Sequence, residues 1–403
     1  MAAKRTAPVR LALDGGTPVR SEMLPYAHQT INDADIEAVA EALRSDWLTT
    51  GPRVPEFERG LAAATGARHA VAFSSGTAAL HGATVVAGLG PGDEAITTPM
   101  TFVATANAVL YAGATPRFAD VLADDLLISP DAVAAAVTAR TRAVLAVDYA
   151  GHPADYEALR AAVASAPGAG PVTLIADASH SLGATRDGRR VGTLADLTVL
   201  SLHPAKILTT GEGGAVLTDR DDLADRLRRF RNHGISSELA ARRDWTYAMV
   251  ELGYNYRLTD IAAALGSSQL ERLDEFLARR RSLAARYRTH LADHPAVDLP
   301  AVTPGVDPAW HFLFVRLRLD RLSVDRGAVY RAMRAEGIGV NVHYIPVHQH
   351  PYYRERYPGL SFPIAEAAYQ RLLTLPLHAG MTHRDVDDVV AALDKVTTAY
   401  AAS

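Results

Sequence analysis

The chain has 403 residues, 48% of them hydrophobic, which suffices for two or three domains around a large buried core. Its formal net charge of -4 offers no basic field to nucleic acid or an anionic membrane, and the absence of Cys excludes disulfides, thiolate metal sites and cysteine nucleophiles. No apolar run reaches membrane-spanning length and the first ten residues lack the apolar stretch of a secretory leader, so a soluble cytoplasmic protein is expected.

Residues 1–30 read as an irregular arm, with a turn at Asp14-Gly15-Gly16-Thr17-Pro18. Asn32-Asp33 caps a predicted helix over 34–44, a loop follows to Pro52, and a second helix is predicted near 55–65. From residue 69 short apolar runs alternate with helical stretches. The runs are 69–73, 94–97, 115–118, 143–147, 173–176, 197–200 and 215–218, and amphipathic segments such as 78–87, 130–136 and 156–164 lie between most of them. Buried continuous strands separated by helices predict an α/β domain over 31–258, built on a mostly parallel seven-stranded sheet. After a break near 253–258, residues 259–294 read as long helix. Strands at 312–317 and 340–344 and helices near 326–335, 364–372 and 384–397 then predict a smaller α+β domain over 259–403.

Among 41 cationic residues only Lys4, Lys206 and Lys395 are lysines. Lys4 and Lys395 lie near the termini, where little is expected to constrain them. Lys206 sits mid-chain, between the apolar run 197–200 and the Gly-rich Thr209-Thr-Gly-Glu-Gly-Gly214. An ammonium can lose its proton and attack a carbonyl where a guanidinium cannot, so Lys206 reads as a Schiff-base lysine rather than a solvated loop residue.

Ligands of parallel sheets gather at the carboxyl ends of the strands. The first strand ends in Ser74-Ser75-Gly76-Thr77 and runs into a helix, which reads as a phosphate cup or as an ordinary N-cap with a Gly turn. Phe102 follows the second strand and reads as a ring stacker or as core. Asp177 ends the strand 173–176 and is a partner for a pyridinium nitrogen or a helix cap, while His180 contacts a cofactor oxygen or fills space. Phosphate cup, ring stacker, ring-nitrogen carboxylate and Schiff-base amine are what pyridoxal 5'-phosphate (PLP) requires.

With these features the chain resembles the DegT/DnrJ/StrS family of sugar aminotransferases, which share the fold type I of PLP-dependent enzymes. The matching segments are Gly15-Gly-Thr-Pro-Val-Arg20, Ser75-Gly-Thr77, Thr98-Pro-Met-Thr-Phe102-Val-Ala-Thr105, Asp177-Ala-Ser-His-Ser-Leu-Gly183, His203-Pro-Ala-Lys206, Arg231-Asn-His-Gly234, Gly253-Tyr-Asn-Tyr-Arg-Leu258 and Val342-His-Tyr-Ile-Pro346. The resemblance implies that Lys206 is the Schiff-base lysine and general base, that Asp177 pairs with the ring nitrogen, and that Phe102 stacks on the ring. It implies further that Ser75, Gly76, Thr77 and Ser201 hold the phosphate and that His180 lies near the ring hydroxyl. Asn255 would reach the phosphate of a neighbouring subunit, giving a homodimer with shared sites, and Trp47, Leu48, Thr49, His343, Tyr344 and Ile345 would contact substrate. Family members with His in place of the lysine are dehydratases, so Lys206 implies ping-pong transamination.

Within the family, the segments around Asp177 and Lys206 look most like pseudaminic-acid-pathway enzymes, which move an amino group from glutamate or glutamine to C4 of a nucleotide-linked 4-keto-6-deoxy sugar. The opening Gly-Gly-Thr-Pro-Val-Arg is shared with cyclitol aminotransferases, so a ketocyclitol acceptor is the second reading and a non-catalytic PLP-binding regulator the third. His343, His348 and His350 have spacing compatible with a metal, but no carboxylate accompanies them and transamination needs none, so no metal site is expected.

Overall fold

The computed structural model describes residues 10–166, 170–236 and 245–402, so Lys4 and the first nine residues of the arm lie outside the described residues. The central sheet has the strand order β1-β7-β6-β5-β4-β2-β3. Its strands are β1 (His69–Phe73), β2 (Glu94–Thr97), β3 (Thr115–Phe118), β4 (Thr141–Val147), β5 (Thr173–Asp177), β6 (Leu197–Ser201) and β7 (Gly214–Thr218). All seven expected runs are therefore strands. Those from β2 to β6 pair in parallel, and only β7 opposes its neighbours β1 and β6.

The apolar runs are continuous because both sheet faces are covered. Val144, Ala146, Leu174 and Ala176 join a core with Phe57, Leu61, Leu159 and Val163 of helices α2 (Arg53–Thr65) and α6 (Tyr156–Ser165). Their chain neighbours Ala143, Leu145 and Ile175 point the other way, into a core with Leu80, Val109, Leu227 and Phe230. Those four belong to α3 (Gly76–Val86), α4 (Val103–Tyr111) and α7 (Asp221–Phe230). In front of α2, α1 (Asp33–Arg44) begins at Asn32 with a full capping box to Asp35. The helix α5 (Pro130–Ala136) lies where expected.

The expected helix over 259–294 is two helices, α8 (Asp260–Glu271) and α9 (Leu273–Leu291), broken at Arg272. A second sheet joins β8 (Val297–Asp298), β9 (Leu313–Leu317) and β10 (Leu372–Leu375). α9 packs there with α10 (Arg326–Ala335) and α12 (His383–Ala399) around Tyr287, Leu291, Met333, Val389 and Leu393. Residues 340–344 are not the expected strand. Asn341 makes a single bridge to Thr374, and the strand in this place is β10, whose four buried residues follow α11 (Pro363–Arg371) without a break. The expected helix near 364–372 ends at Arg371, and the apolar run 372–375 after it, for which no element was expected, carries no period of its own beside a helix.

The arm is fastened where no constraint was expected. The carboxylate of Glu336, fully buried, accepts hydrogen bonds from Ala12 N at 2.8 Å and Val19 N at 3.0 Å. Lys395 Nζ closes the clamp, 2.7 Å from Glu336 Oε2 and 2.8 Å from Thr17 O. Lys395 is thus a structural cation, and the scarcity of lysine alone did not single out Lys206. Gly16 belongs to the same clamp, since a Cβ there would sit 2.2 Å from Arg10 O. Lys395→Met leaves a buried carboxylate without its cation, and we expect a loss of about 3 kcal/mol in denaturant unfolding. A loss below about 0.5 kcal/mol would show that the two backbone donors suffice.

Candidate active site

At the carboxyl ends of the strands lies a cavity of about 520 Å3, lined by ten of the sequence-predicted residues: Ser75, Gly76, Thr77, Phe102, Asp177, His180, Ser201, Lys206, His343 and Tyr344. The first eight lie at or shortly after the ends of β1, β2, β5 and β6, whereas His343 and Tyr344 follow the bridge of Asn341 to Thr374. Ser75 caps α3, accepting from Ala78 N at 3.1 Å, so the cap and the candidate phosphate cup are the same turn. Gly76 is required there because a Cβ would meet Ser201 Cβ at 2.8 Å, and its absence lets the first turn of α3 approach the end of β6. The free N–H groups of that turn and the hydroxyls of Thr77 and Ser201 suit a phosphate.

Phe102 is not core. It stands 57% exposed at the N-cap of α4, with its ring centroid 6.2 Å from that of Tyr344. Asp177 caps no helix either. It ends β5, buried, with Thr105 Oγ1 donating to Oδ2 and Ser179 Oγ to Oδ1, both at 2.6 Å, and no cation within salt-bridge distance among the described residues. A carboxylate held this way is oriented but not neutralised, which leaves its charge for a cationic ring nitrogen.

Lys206 follows β6 on a segment folded back between β6 and β7. Leu202 N donates to Gly213 O, Thr210 N and Thr209 Oγ1 to Leu202 O, and Gly211 N to Thr209 Oγ1. The Thr-Thr-Gly-Glu-Gly-Gly tail is the closure of this loop. Burial brings the Lys206 amine down to about 8, an effect that the Asp177 charge partly offsets. Its carbonyl meets Arg280, a fully buried guanidinium that also donates to the carbonyls of His311 at 3.0 Å and Leu377 at 2.8 Å. Sequence reasoning missed Arg280, which is one arginine among many in a long helix.

Histidines form the opposite wall. His180 Nε2 lies 3.0 Å from the Tyr344 hydroxyl, and its ring stacks on His311 with centroids 4.5 Å apart. Burial first, and the Lys206 charge second, hold His180 and His311 well below the usual histidine range, and the same causes bring His343 to about 3. All three are neutral at physiological pH. His180 Nδ1 is buried without a hydrogen-bond partner among the described residues, as a group awaiting a ligand oxygen would be. His311 was also missed, since a lone His in an aromatic run carries no signal.

Five expected site residues do not line this cavity. Ile345 faces a separate groove. Trp47 and Leu48 are about half exposed, Thr49 bridges Thr259, and Asn255 is exposed while bridging Asn232. The histidines weighed for a metal diverge, with His343 on Thr374 and His348 on Glu366. The described residues contain no group of three or more His, Cys, Asp or Glu able to hold a metal ion, and no helix long and apolar enough to cross a membrane.

The cavity fits PLP on these observations: an N-terminal helix turn closed on Ser201, an exposed ring at the mouth, a carboxylate without an ion pair among the described residues, an orphaned His180 nitrogen and the half-buried Lys206 amine. Comparison with known proteins agrees. Residues 29–394 match the model of the DegT/DnrJ/EryC1/StrS aminotransferase family. The spore coat polysaccharide biosynthesis protein SpsC of Bacillus subtilis is 41% identical over 381 residues, covering 93% of this chain and 97% of that protein. A sugar aminotransferase of Streptococcus pneumoniae in its PLP form superposes with a TM-score of 0.87 at 30% identity, covering 93% of this chain and 98% of the other. PseC of Helicobacter pylori, an aminotransferase of pseudaminic acid biosynthesis, does so with 0.86 at 29% identity, covering 93% and 99%.

Proposed function

Because the chain belongs to the DegT/DnrJ/EryC1/StrS aminotransferase family and is a PLP-dependent sugar aminotransferase, we propose that glutamate is its amino donor and a nucleotide-linked keto-6-deoxy sugar, aminated at C4, its acceptor. The observation that carries this reading is the meeting, in one cavity, of the Lys206 amine, brought down to about 8, and the Asp177 carboxylate, which makes no ion pair among the described residues. PLP, when bound, supplies an aldehyde and an electron-withdrawing ring through which an amino group can pass between carbons. Ser75, Gly76, Thr77 and Ser201 would hold its phosphate, Phe102 its ring face, Asp177 its ring nitrogen, His180 its ring hydroxyl and Lys206 its aldehyde carbon.

The remaining work falls to the chain. Lys206 Nζ, displaced by the donor, is a free amine of suitable basicity and takes the proton from the amine-bearing carbon of glutamate. In the second half-reaction it returns a proton to the carbon of the sugar that gains nitrogen. The neutral ring wall of His180, His311, His343 and Tyr344 excludes water and adds no competing positive charge. Asn255, Trp47 and Leu48 act across a homodimer in this reading. It is supported by their exposure together with that of Trp245 and Leu252, at 90% and 72%.

Purified holoenzyme given glutamate and a UDP-linked 4-keto-6-deoxy sugar is expected to release 2-oxoglutarate and form the 4-amino sugar. A keto-inositol should give neither product, and its amination in place of the sugar would replace the proposed acceptor.

A further inference from the structure

One fully buried carboxylate has no part in the chemistry of Lys206 and Asp177. Asp148 follows the last residue of β4, beside β5 in the sheet, and makes no ion pair among the described residues. A carboxylate in such a place is costly unless its oxygens are engaged, and three donors engage them. Ala154 N at 2.9 Å and the Tyr156 hydroxyl at 2.7 Å donate to Oδ1, and the Ser181 hydroxyl donates to Oδ2 at 2.6 Å. Oδ1 thus holds the chain entering α6, whereas Oδ2 holds the turn after β5. An amide would satisfy Ala154 and Tyr156 equally well. Only the Ser181 contact calls for a second acceptor oxygen.

That turn carries the groups that face the cofactor site. It runs Asp177-Ala178-Ser179-His180-Ser181, so the hydroxyl fixed by Asp148 belongs to the residue after His180. At its other end the Asp148 N–H donates to Asp177 O at 3.0 Å. Asp148 therefore holds both ends of the segment. The tight turn that it begins, closed by Gly151 N on Asp148 O at 3.1 Å, reaches the opposite wall as well. His311 N donates to Ala150 O at 3.1 Å, and the Tyr149 hydroxyl donates to His343 O.

We propose that Asp148 is a positioning residue for the segment 177–181, acting through Ser181 to set where Asp177 and His180 meet PLP. The inference rests on bound PLP and on neither substrate named above.

The groups facing Asp148 also make its charge titratable. Tyr156 comes from α6, Ser181 and Asp177 from β5 and its turn, and Arg186, which acts on Tyr156, is paired with Asp155. Burial raises the Asp148 carboxyl to about 6 against the pull of its three donors, and the Asp177 charge adds to the rise. Oδ1 already faces two donors, so a proton taken up as pH falls goes to Oδ2 and displaces the Ser181 hydroxyl.

The test compares Asp148→Asn, Ser181→Ala and Tyr156→Phe, each checked by thermal melting, for PLP affinity and for the rate at which glutamate discharges the absorbance of bound cofactor. Asp148→Asn should weaken PLP binding about tenfold and Ser181→Ala several-fold. The double variant should bind no more weakly than Asp148→Asn alone, because both changes remove one link. Tyr156→Phe removes only the link toward α6, so it should lower the melting temperature and leave affinity within about twofold of wild type. The wild-type rate with glutamate should fall as pH drops through about 6, and Asp148→Asn should lack that step. Wild-type affinity in folded Ser181→Ala overturns the role, as does an acid step retained in Asp148→Asn. So does a loss of affinity in Tyr156→Phe equal to that in Ser181→Ala, since Asp148 would then only support the fold. If Asp148→Asn does not fold, Ser181→Ala against Tyr156→Phe decides alone. If glutamate leaves the wild-type absorbance unchanged, the donor reading fails and PLP affinity still decides the role of Asp148.

Discussion

Lys206→Arg is expected to fold with an unchanged melting temperature and to lose turnover by about 10^4-fold or more. Proton transfer by a placed base contributes about 10^2- to 10^4-fold, and the covalent role of the amine is lost with it. The substitution keeps a positive charge at the end of the Lys206 segment and a stem of similar length. What it removes is the ability to be neutral. Burial brings the Lys206 amine down to about 8, so a substantial fraction is unprotonated at pH 8, whereas a guanidinium remains charged throughout. The same property predicts a pH dependence. Cofactor uptake by cofactor-free wild-type protein should accelerate as pH rises through about 8, where the amine loses its proton, and not near the usual lysine value of about 10.4. Uptake followed by the absorbance of bound cofactor checks this, and Lys206→Arg should show no such rise. Lys395 cannot substitute. Lys395 is spent on Glu336 and Thr17, far along the chain from the cavity, and Lys4 lies outside the described residues. Near-normal turnover in Lys206→Arg would remove the basis of the mechanism.

What the sequence disclosed follows from how each feature is encoded. The seven strands of the central sheet were legible because burial on both faces turns each into an unbroken apolar run bounded by helices. Asp177, Phe102 and Lys206 were legible because the topology sends the ends of the parallel strands β2, β5 and β6 to one edge, so residue type and chain order stood in for geometry. Features made by long-range pairing were not. Nothing local to Lys395 announces Glu336, 59 residues away, and nothing local to Arg280 announces the carbonyls of His311 and Leu377. The strand β10 was lost because its four apolar residues follow α11 without a break and show no period of their own. His311 joined the site only through the turn in which its N–H meets Ala150 O at 3.1 Å. The reading of Asn255 as a site residue came from resemblance alone, and its exposure within one chain is what a residue serving a second chain would show.

Asp177→Asn is the second large effect we expect, a fall of about 10^2- to 10^3-fold in the rate of the donor half-reaction with the fold intact. The amide matches the carboxylate in shape and can still accept from one hydroxyl, but the oxygens facing Thr105 and Ser179 both accept at 2.6 Å. One of those hydroxyls must therefore turn away from the new NH2 group, a local cost of about 1 kcal/mol that does not threaten a fold of this size. The larger loss is electrostatic. Asp177 has no cation partner among the described residues, so its charge is available to hold a proton on the ring nitrogen of bound PLP, and the amide has none to offer. A second readout separates this from a merely structural change. Asp177 is the group that raises the Lys206 amine against burial, so its neutralisation should move the midpoint of pH-dependent cofactor uptake downward from about 8. A midpoint that moves upward, or stays fixed while the rate falls, would mean that Asp177 serves to shape the cavity and not to charge it. Asp177→Glu supplies the complementary control, because it keeps the charge but pushes an extra methylene toward Thr105 and Ser179. If charge is what matters, Asp177→Glu should retain more of the donor half-reaction than Asp177→Asn and leave the midpoint near its original value.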